Sequence, residues 1–410
     1  MSNTTIDPTR ADISAENTPE SSPAALLSRL GPVFFLTGIF SLNFISRVIL
    51  APLMVTIEKE LHLGHKEAGV LFLLTTVGYS LSLLVSGHLS SRVVHRKTIV
   101  FSTLGLGVSL LCLSVSQSLW AIRLTLFILG MAAGLYLPSG MATLTSLIRP
   151  QDWGKAFAIH ELAPNVSFVM APFIAEAFLQ WSSWRWLMAL LGIASLLLGL
   201  AFLWFSQGGN FYGQAPTPRV VRDLIKEPAF WIVMVLFGLG IGTSFGVYSM
   251  LPLYMVAERG IGRGWANTLV ALSRVSGIVI SLISGWFVDR LGIKKTMLIF
   301  LLTTGIFTVL LGTAPGSWLV PCIFLQPLVA VCFFPAGFTA ISRIGPPGSR
   351  NVAISLTVPL GFFLGGGVVP ALIGWSGERI SFSIGIIALG IITLACIPLI
   401  RGLRFSDEEK

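Results

Sequence analysis

Two arginines stand inside stretches that are otherwise apolar: Arg47, four residues after Asn43, and Arg274, seven after Asn267. Four and seven are helical spacings, so each Arg shares a face with its Asn, and Ser281 and Gly285 continue the face of Arg274. A guanidinium is a planar fork of donors that matches a carboxylate or phosphate, so two of them on one cavity would clamp a small anion. The alternative is that a protein acid neutralises each one and the pair serves packing. Acids are scarce enough to test this, because only Glu161 and Glu176 fall within apolar stretches, both on the same one.

That stretch carries a polar stripe. Glu161, Asn165, Pro172 and Glu176 lie within roughly 60° of one another at 100° per residue. Glu161 follows His160 and sits about 9 Å along a helix from Lys155. A carboxylate desolvated there should hold its proton more tightly, and His160 could tune or share it, which suits a proton carrier. The other reading is an ion pair with Lys155 or Arg149. Glu176, near the opposite end, reads as structural. Tyr79, Tyr136, Tyr248, Tyr254 and Gln326 could complete a cavity, although buried residues of these types commonly serve packing. Arg123, at the end of its apolar run, could snorkel to the interface.

The elements that must hold these residues follow from composition. The 410-residue chain is 54% hydrophobic and 11% charged, too apolar for a water-soluble fold. Twelve apolar runs fit bilayer-spanning helices, at 32–55, 68–89, 98–117, 120–147, 156–179, 186–206, 229–256, 266–288, 296–313, 317–342, 351–374 and 381–401. Residues 1–30 are polar, hold Pro8, Pro19 and Pro23, lack the pattern of a cleaved signal, and read as a disordered cytoplasmic tail. The division expected is a six-helix half at 31–206, a linker at 207–228, a second half at 229–402 and a tail at 403–410. With both termini inside, 18 of the 27 Lys and Arg residues fall on the cytoplasmic side, so the net charge of +9 is a topology signal and not a nucleic-acid footprint. The four cysteines lie in apolar runs without metal or disulfide spacing, and no cofactor motif is present.

The two halves repeat each other. Gly87-His-Leu-Ser-Ser91-Arg92-Val-Val-His95-Arg96-Lys97 is answered 198 residues later by Gly285-Trp-Phe-Val-Asp289-Arg290-Leu-Gly292-Ile-Lys294-Lys295. Pro52, Pro138 and Pro172 are answered by Pro252, Pro335 and Pro370, at offsets of 200, 197 and 198. This combination resembles the major facilitator superfamily, over residues from about 30 to 402. The resemblance implies an all-α membrane protein of twelve transmembrane helices in two pseudo-symmetric six-helix halves, with helices 1 and 8 lining a central cavity. It also implies a cytoplasmic latch made of Gly87, Ser91, Arg92 and Arg96 in one hairpin and Gly285, Asp289, Arg290 and Lys294 in the other. There Asp289 would cap a helix of the opposite half, and Ser91, standing where the family has Asp, would make the weaker copy. The bland reading is that these charges only orient the chain.

The function expected is secondary transport of a small organic anion by alternating access, with proton symport. The mid-membrane Arg47 resembles the anion:cation symporter branch, though Ala133 stands where that branch has an acid. Substrate contacts would come from Arg47, Arg274, Asn43, Tyr79, Asn165 and Tyr248, and proton coupling from Glu161 and His160. The partners expected are that anion, protons and the lipid bilayer, with no nucleic acid, for a monomer in a bacterial inner membrane. The alternatives are proton-driven efflux of a drug or metabolite and a transporter-like sensor. Against efflux, Ala171-Pro172-Phe-Ile-Ala-Glu176 lacks the glycines of the exporter signature. No nucleophile–base pair or phosphate loop suggests an enzyme.

Overall fold

The computed structural model describes residues 25–213, 218–345, 350–403 and 405. Among the described residues eleven helices are long and apolar enough to cross a membrane: α1 (Leu26–Leu61), α2 (His65–Ser90), α3 (His95–Val115), α4 (Leu119–Leu147), α5 (Pro150–Trp181), α6 (Trp184–Phe205), α7 (Pro228–Ala257), α9 (Ile293–Thr313), α10 (Gly316–Ser342), α11 (Val352–Arg379) and α12 (Phe382–Gly402). The twelfth, α8 (Arg263–Leu291), bends by 51° between Ile278 and Ile283. Helix is the expected outcome, because lipid offers no partner for a free N–H or C=O and a helix satisfies both internally.

Packing repeats between the halves. In the first, α3 packs on α6, α2 on α4 and α1 on α5; in the second, α9 packs on α12, α8 on α10 and α7 on α11. Two of the three duplicated proline pairs leave paired irregularities, because each proline removes an N–H and crowds the carbonyl four residues back. Before Pro52, α1 breaks at Ile49; before Pro252, α7 opens into a π turn at Gly242–Gly246. Breaks at Leu135 in α4 and Cys332 in α10 precede Pro138 and Pro335. A second π turn, Phe363–Val368 in α11, runs up to Pro370. Side chains absorb some of the freed carbonyls. Gln326 Nε2 donates to Thr243 O at 2.8 Å, so this residue belongs to packing rather than to a cavity.

Two expected boundaries need correction. The first helical turn starts at Leu26, inside the expected tail, because Leu26 is buried and its N–H donates to Asp152 Oδ2 at 3.3 Å. Residues 1–24 lie outside the described part. At the other end Leu403 and Phe405 are buried, and Lys294 sits 5.6 Å from the Phe405 ring, so the last helix is followed by packed chain. The linker is also built in. Gly209 O accepts from Arg96 N at 2.8 Å and Phe211 O from His95 N at 3.1 Å, which satisfies N–H groups at the start of α3 that have no partner within the helix. Gly209 has φ +80°, and a Cβ there would lie 3.1 Å from Arg96 N, so the contact requires glycine.

The halves lock together at the end opposite the termini, the outer end in the expected orientation. α2 meets α11 so closely that a Cβ on Gly69 would stand 2.7 Å from Pro370 O. Nearby, Glu378 of α11 accepts from Lys66 N at 2.9 Å, a carboxylate at the N-terminus of α2. On the other flank, Glu176 of α5 accepts from Arg263 Nη2 at 3.0 Å and from Asn267 Nδ2 at 3.1 Å, both on α8. Arg263 Nη1 reaches Thr56 Oγ1 at 3.3 Å, and Asn267 Nδ2 reaches Pro52 O at 3.2 Å, which ties in α1.

Candidate functional site

Arg47 occupies the last turn of α1 before the break at Ile49. It is 5% exposed, with Nε donating to Asn43 O at 3.4 Å and Nη2 to Asn43 Oδ1 at 3.5 Å. Asn43 in turn donates from Nδ2 to Ala133 O of α4 at 3.0 Å, so it fixes the arginine against the first half. The guanidinium stacks over Tyr79 of α2 at 4.2 Å and over Phe44 at 5.0 Å. Beside it is a cavity of about 10 Å³, room for about one water, walled by Arg47, Phe72, Thr75, Thr76, Tyr79, Phe245 and Phe362. The hydroxyls of Thr75 and Thr76 donate to Leu71 O and Gly366 O, so their hydrogens are already committed to backbone carbonyls.

Arg274 mirrors this arrangement from α8. It is 8% exposed, and Nη2 donates to Ser244 O at 2.9 Å, a carbonyl in the π turn of α7. Its guanidinium lies 4.9 Å from the Phe168 ring and 5.0 Å from Tyr248. A run of rings joins the two arginines. Phe44 meets Phe168 at 5.1 Å, Phe168 meets Phe245 at 6.0 Å, Phe245 meets Phe362 at 6.0 Å, and Phe362 meets Tyr79 at 5.4 Å. The cluster draws on α1, α2, α5, α7 and α11, so it belongs to both halves.

Among the described residues neither arginine pairs with an acid. Among the described residues the carboxylate pairs are Glu58 with His65, Asp152 with Lys155, Glu161 with His160, Glu60 with Arg185 and Glu176 with Arg263. The alternative in which a protein carboxylate neutralises Arg47 or Arg274 is therefore not realised. Cation–π contacts and backbone carbonyls offset part of a cost that reaches at least about 2.5–3.5 kcal/mol for a charge at mid-membrane.

Other expected residues divide. Tyr248 joins the Arg274 wall, buried, with its hydroxyl 3.5 Å from Phe168 O. Asn165 does not join: it is half-exposed and donates to Glu161 O at 2.9 Å within α5. Glu161 is 54% exposed, with its side chain directed out of the packed interior. His160 is the buried member of that pair, with its ring stacked 4.4 Å from Phe40. Arg123 lies 5.1 Å from the Trp120 ring, as a snorkelling side chain would.

The contacts of Ser91, Arg96 and Arg290 stay within their own halves. Ser91 Oγ donates to His88 O, and Arg96 Nη2 donates to Leu203 O at 2.7 Å, at the end of α6. Arg92, Asp289 and Arg290 are exposed, and Arg290 lies 5.6 Å from Trp286. A Cβ on Gly285 would have no neighbour within 4 Å.

Phe44, Phe168, Phe245 and Ser244 were not singled out in the sequence. A phenylalanine among dozens of apolar residues carries no mark of its own, and Ser244 could be found only by anticipating the π turn. Asn267 was placed on the Arg274 face, but its role in the outer lock depends on α5.

Comparison with known proteins decides the family. The model of the Major Facilitator Superfamily matches residues 36–293 and 264–410. The chain belongs to that superfamily. Relatives of this superfamily member include the membrane sensor protein UhpC of Salmonella typhimurium, 23% identical over 83% of this chain and 84% of that one. The D-galactonate transporter of Escherichia coli O6:H1 is 24% identical over 88% and 91%, and the cis,cis-muconate transport protein of Acinetobacter baylyi 20% identical over 86% and 89%. A bacterial homologue of the human lysosomal transporter Spinster, solved in an inward-facing and occupied conformation, superposes with a TM-score of 0.78 at 14% identity, covering 92% of this chain and 96% of that one. The protein is an integral membrane transporter of the major facilitator type.

Proposed function

We propose that this transporter moves a small organic anion, a carboxylate or a group like it, by alternating access with proton symport. The observation that carries the reading is the pair of buried arginines, one from each half, that face an aromatic cluster shared by both halves and, among the described residues, pair with no protein carboxylate. An anion would supply the charge they lack and the fork-to-fork geometry they offer. Its binding would draw the halves together, because the two walls belong to different rocking bodies. Two relatives are named for carboxylates, galactonate and muconate, which supports the same chemistry. In this reading both termini are cytoplasmic, the membrane is a bacterial inner membrane and the carrier works as a monomer. The hairpins would latch the cytoplasmic side when it shuts.

A thermal-shift screen of carboxylates and phosphates on purified protein should find stabilising anions, and proteoliposomes should accumulate the best of them when a proton gradient is applied. Arg47→Ala and Arg274→Ala should each abolish the shift while the protein still inserts. Undiminished anion affinity in both variants would refute the clamp. The sensor relative favours one second reading, a carrier fold that reports occupancy to a partner. Anion binding without flux would select it.

A further inference from the structure

Hydrogen-bond accounting around His160 assigns the proton site of this transporter. Tyr136 Oη lies 2.7 Å from Leu36 O, and a carbonyl can only accept, so the single phenolic hydrogen is committed to α1. Oη is also 3.1 Å from His160 Nε2. With its hydrogen spent, the phenol accepts there, and Nε2 must carry the N–H. The neutral ring is thereby fixed as one tautomer, and Nδ1 is left as a bare lone pair. That nitrogen is buried and has no hydrogen-bond partner, while Glu161 Oε1 waits 3.8 Å away.

We infer that His160 Nδ1 is where the coupled proton binds, with Glu161 as its counter-ion and the Tyr136–Leu36 tie as the device that keeps the lone pair on Nδ1. Proton uptake from water makes no other bond change at the ring: Nδ1 gains an N–H, Nε2 keeps its own, and the imidazolium pairs with the Glu161 carboxylate. Release to water on the other side restores the neutral tautomer. The surroundings leave little competition for this role. The stretch of α1 that packs here, from Leu30 to Ser46, has no charged residue and presents Phe40; α4 between Arg123 and Arg149 has none and presents Tyr136. On α5 itself, Lys155 pairs with Asp152 at 3.6 Å. α8 brings Arg274 only as far as Phe168, two turns further along α5.

The sign of coupling follows, and this consequence rests on the anion reading of Arg47 and Arg274. Phe40, on which His160 stacks, stands seven residues, about 10 Å, before Arg47 on α1, so the neighbouring Glu161 carboxylate, when free, opposes an anion held at Arg47. Pairing with protonated His160 removes that opposition. By linkage the bound anion must raise proton affinity by the same factor, so proton and anion travel together.

The test needs no transported substrate. The full chain is labelled with ¹⁵N-histidine and titrated by NMR in nanodiscs from pH 5 to 8.5. Its five histidines are few enough to assign His160 by difference from His160→Gln, or from Tyr136→Phe if that variant does not fold. We expect the His160 signal to be a single Nε2–H tautomer when neutral and an imidazolium at low pH. Glu161→Gln should lower the midpoint by about one unit or more, because an opposite charge at this range favours the protonated ring. Tyr136→Phe should release the tautomer into a mixture. An Nδ1–H tautomer in the wild type, a ring that stays neutral down to pH 5, or a midpoint unmoved by Glu161→Gln would each overturn the assignment. None of these outcomes depends on Arg47 or Arg274, so failure here leaves the anion reading standing, and the reverse also holds.

Discussion

The outer lock offers the sharpest test of alternating access, because its bonds can exist in only one of the two states. Glu176 on α5 receives Arg263 through Nη2 at 3.0 Å and Nε at 3.3 Å, and Asn267 at 3.1 Å. All three donors belong to α8, so opening the outer end must break them together. Glu176→Gln removes the charge and keeps the size. Hydrogen bonds to charged groups contribute about 1.5–3 kcal/mol each when buried. Here the Arg263 side chain is 34% exposed and that of Glu176 19%, and the amide oxygen of Gln still accepts one bond, so solvent screening leaves a loss of about 1–2 kcal/mol for the set. At about 1.4 kcal/mol per factor of ten, the outward-open population should rise by roughly tenfold. Paired spin labels on the outer loops after α1 and after α11 would read this as growth of the longer distance. Glu60→Gln provides the control. Its partner Arg185, at 3.0 Å, lies in the same half, so the distance distribution should not change. Equal distributions for wild type and Glu176→Gln, or an equal shift for Glu60→Gln, would refute the argument.

Two other outcomes follow from the same geometry. Arg47→Met and Arg274→Met should raise the melting temperature of the anion-free protein by a few degrees, because an apolar chain of similar volume removes the desolvation penalty of a buried charge that no counter-ion offsets. Both variants should lose anion binding, and a lower melting temperature with binding intact would mean that the arginines serve packing. At the cytoplasmic hairpins, Ser91→Asp should strengthen closure and raise the outward-facing fraction, whereas Asp289→Asn should lower it; labels on the inner ends of α2 and α8 that report no change for either would return these residues to topology alone.

Much of the architecture was legible in the chain because the bilayer leaves so few choices. Arg47 and Arg274 could be picked out for the same reason: a charge in an apolar helix stands apart from everything around it. The prolines at 52, 138, 172, 252, 335 and 370 marked the repeat, and each also removes a donor wherever it stands. Five of the six matched a break or a π turn, while α5 runs on unbroken past Pro172.

What the sequence determined by itself was therefore local: twelve helices, their order, the doubling of the halves, and which polar side chains lay within them. The tertiary structure decided which partner each of those side chains found. Glu161 and Glu176 share one stripe of α5, yet Glu176 meets Arg263 across the interface while Glu161 stays half in the open. His160, one residue from Glu161, is sealed between Phe40 and Tyr136 with a lone pair and no donor. The bilayer dictates that these segments be helical because backbone hydrogen bonding is settled within each helix. It does not dictate which helices touch, and a buried charge or lone pair acquires its role only from the residue that another helix places beside it.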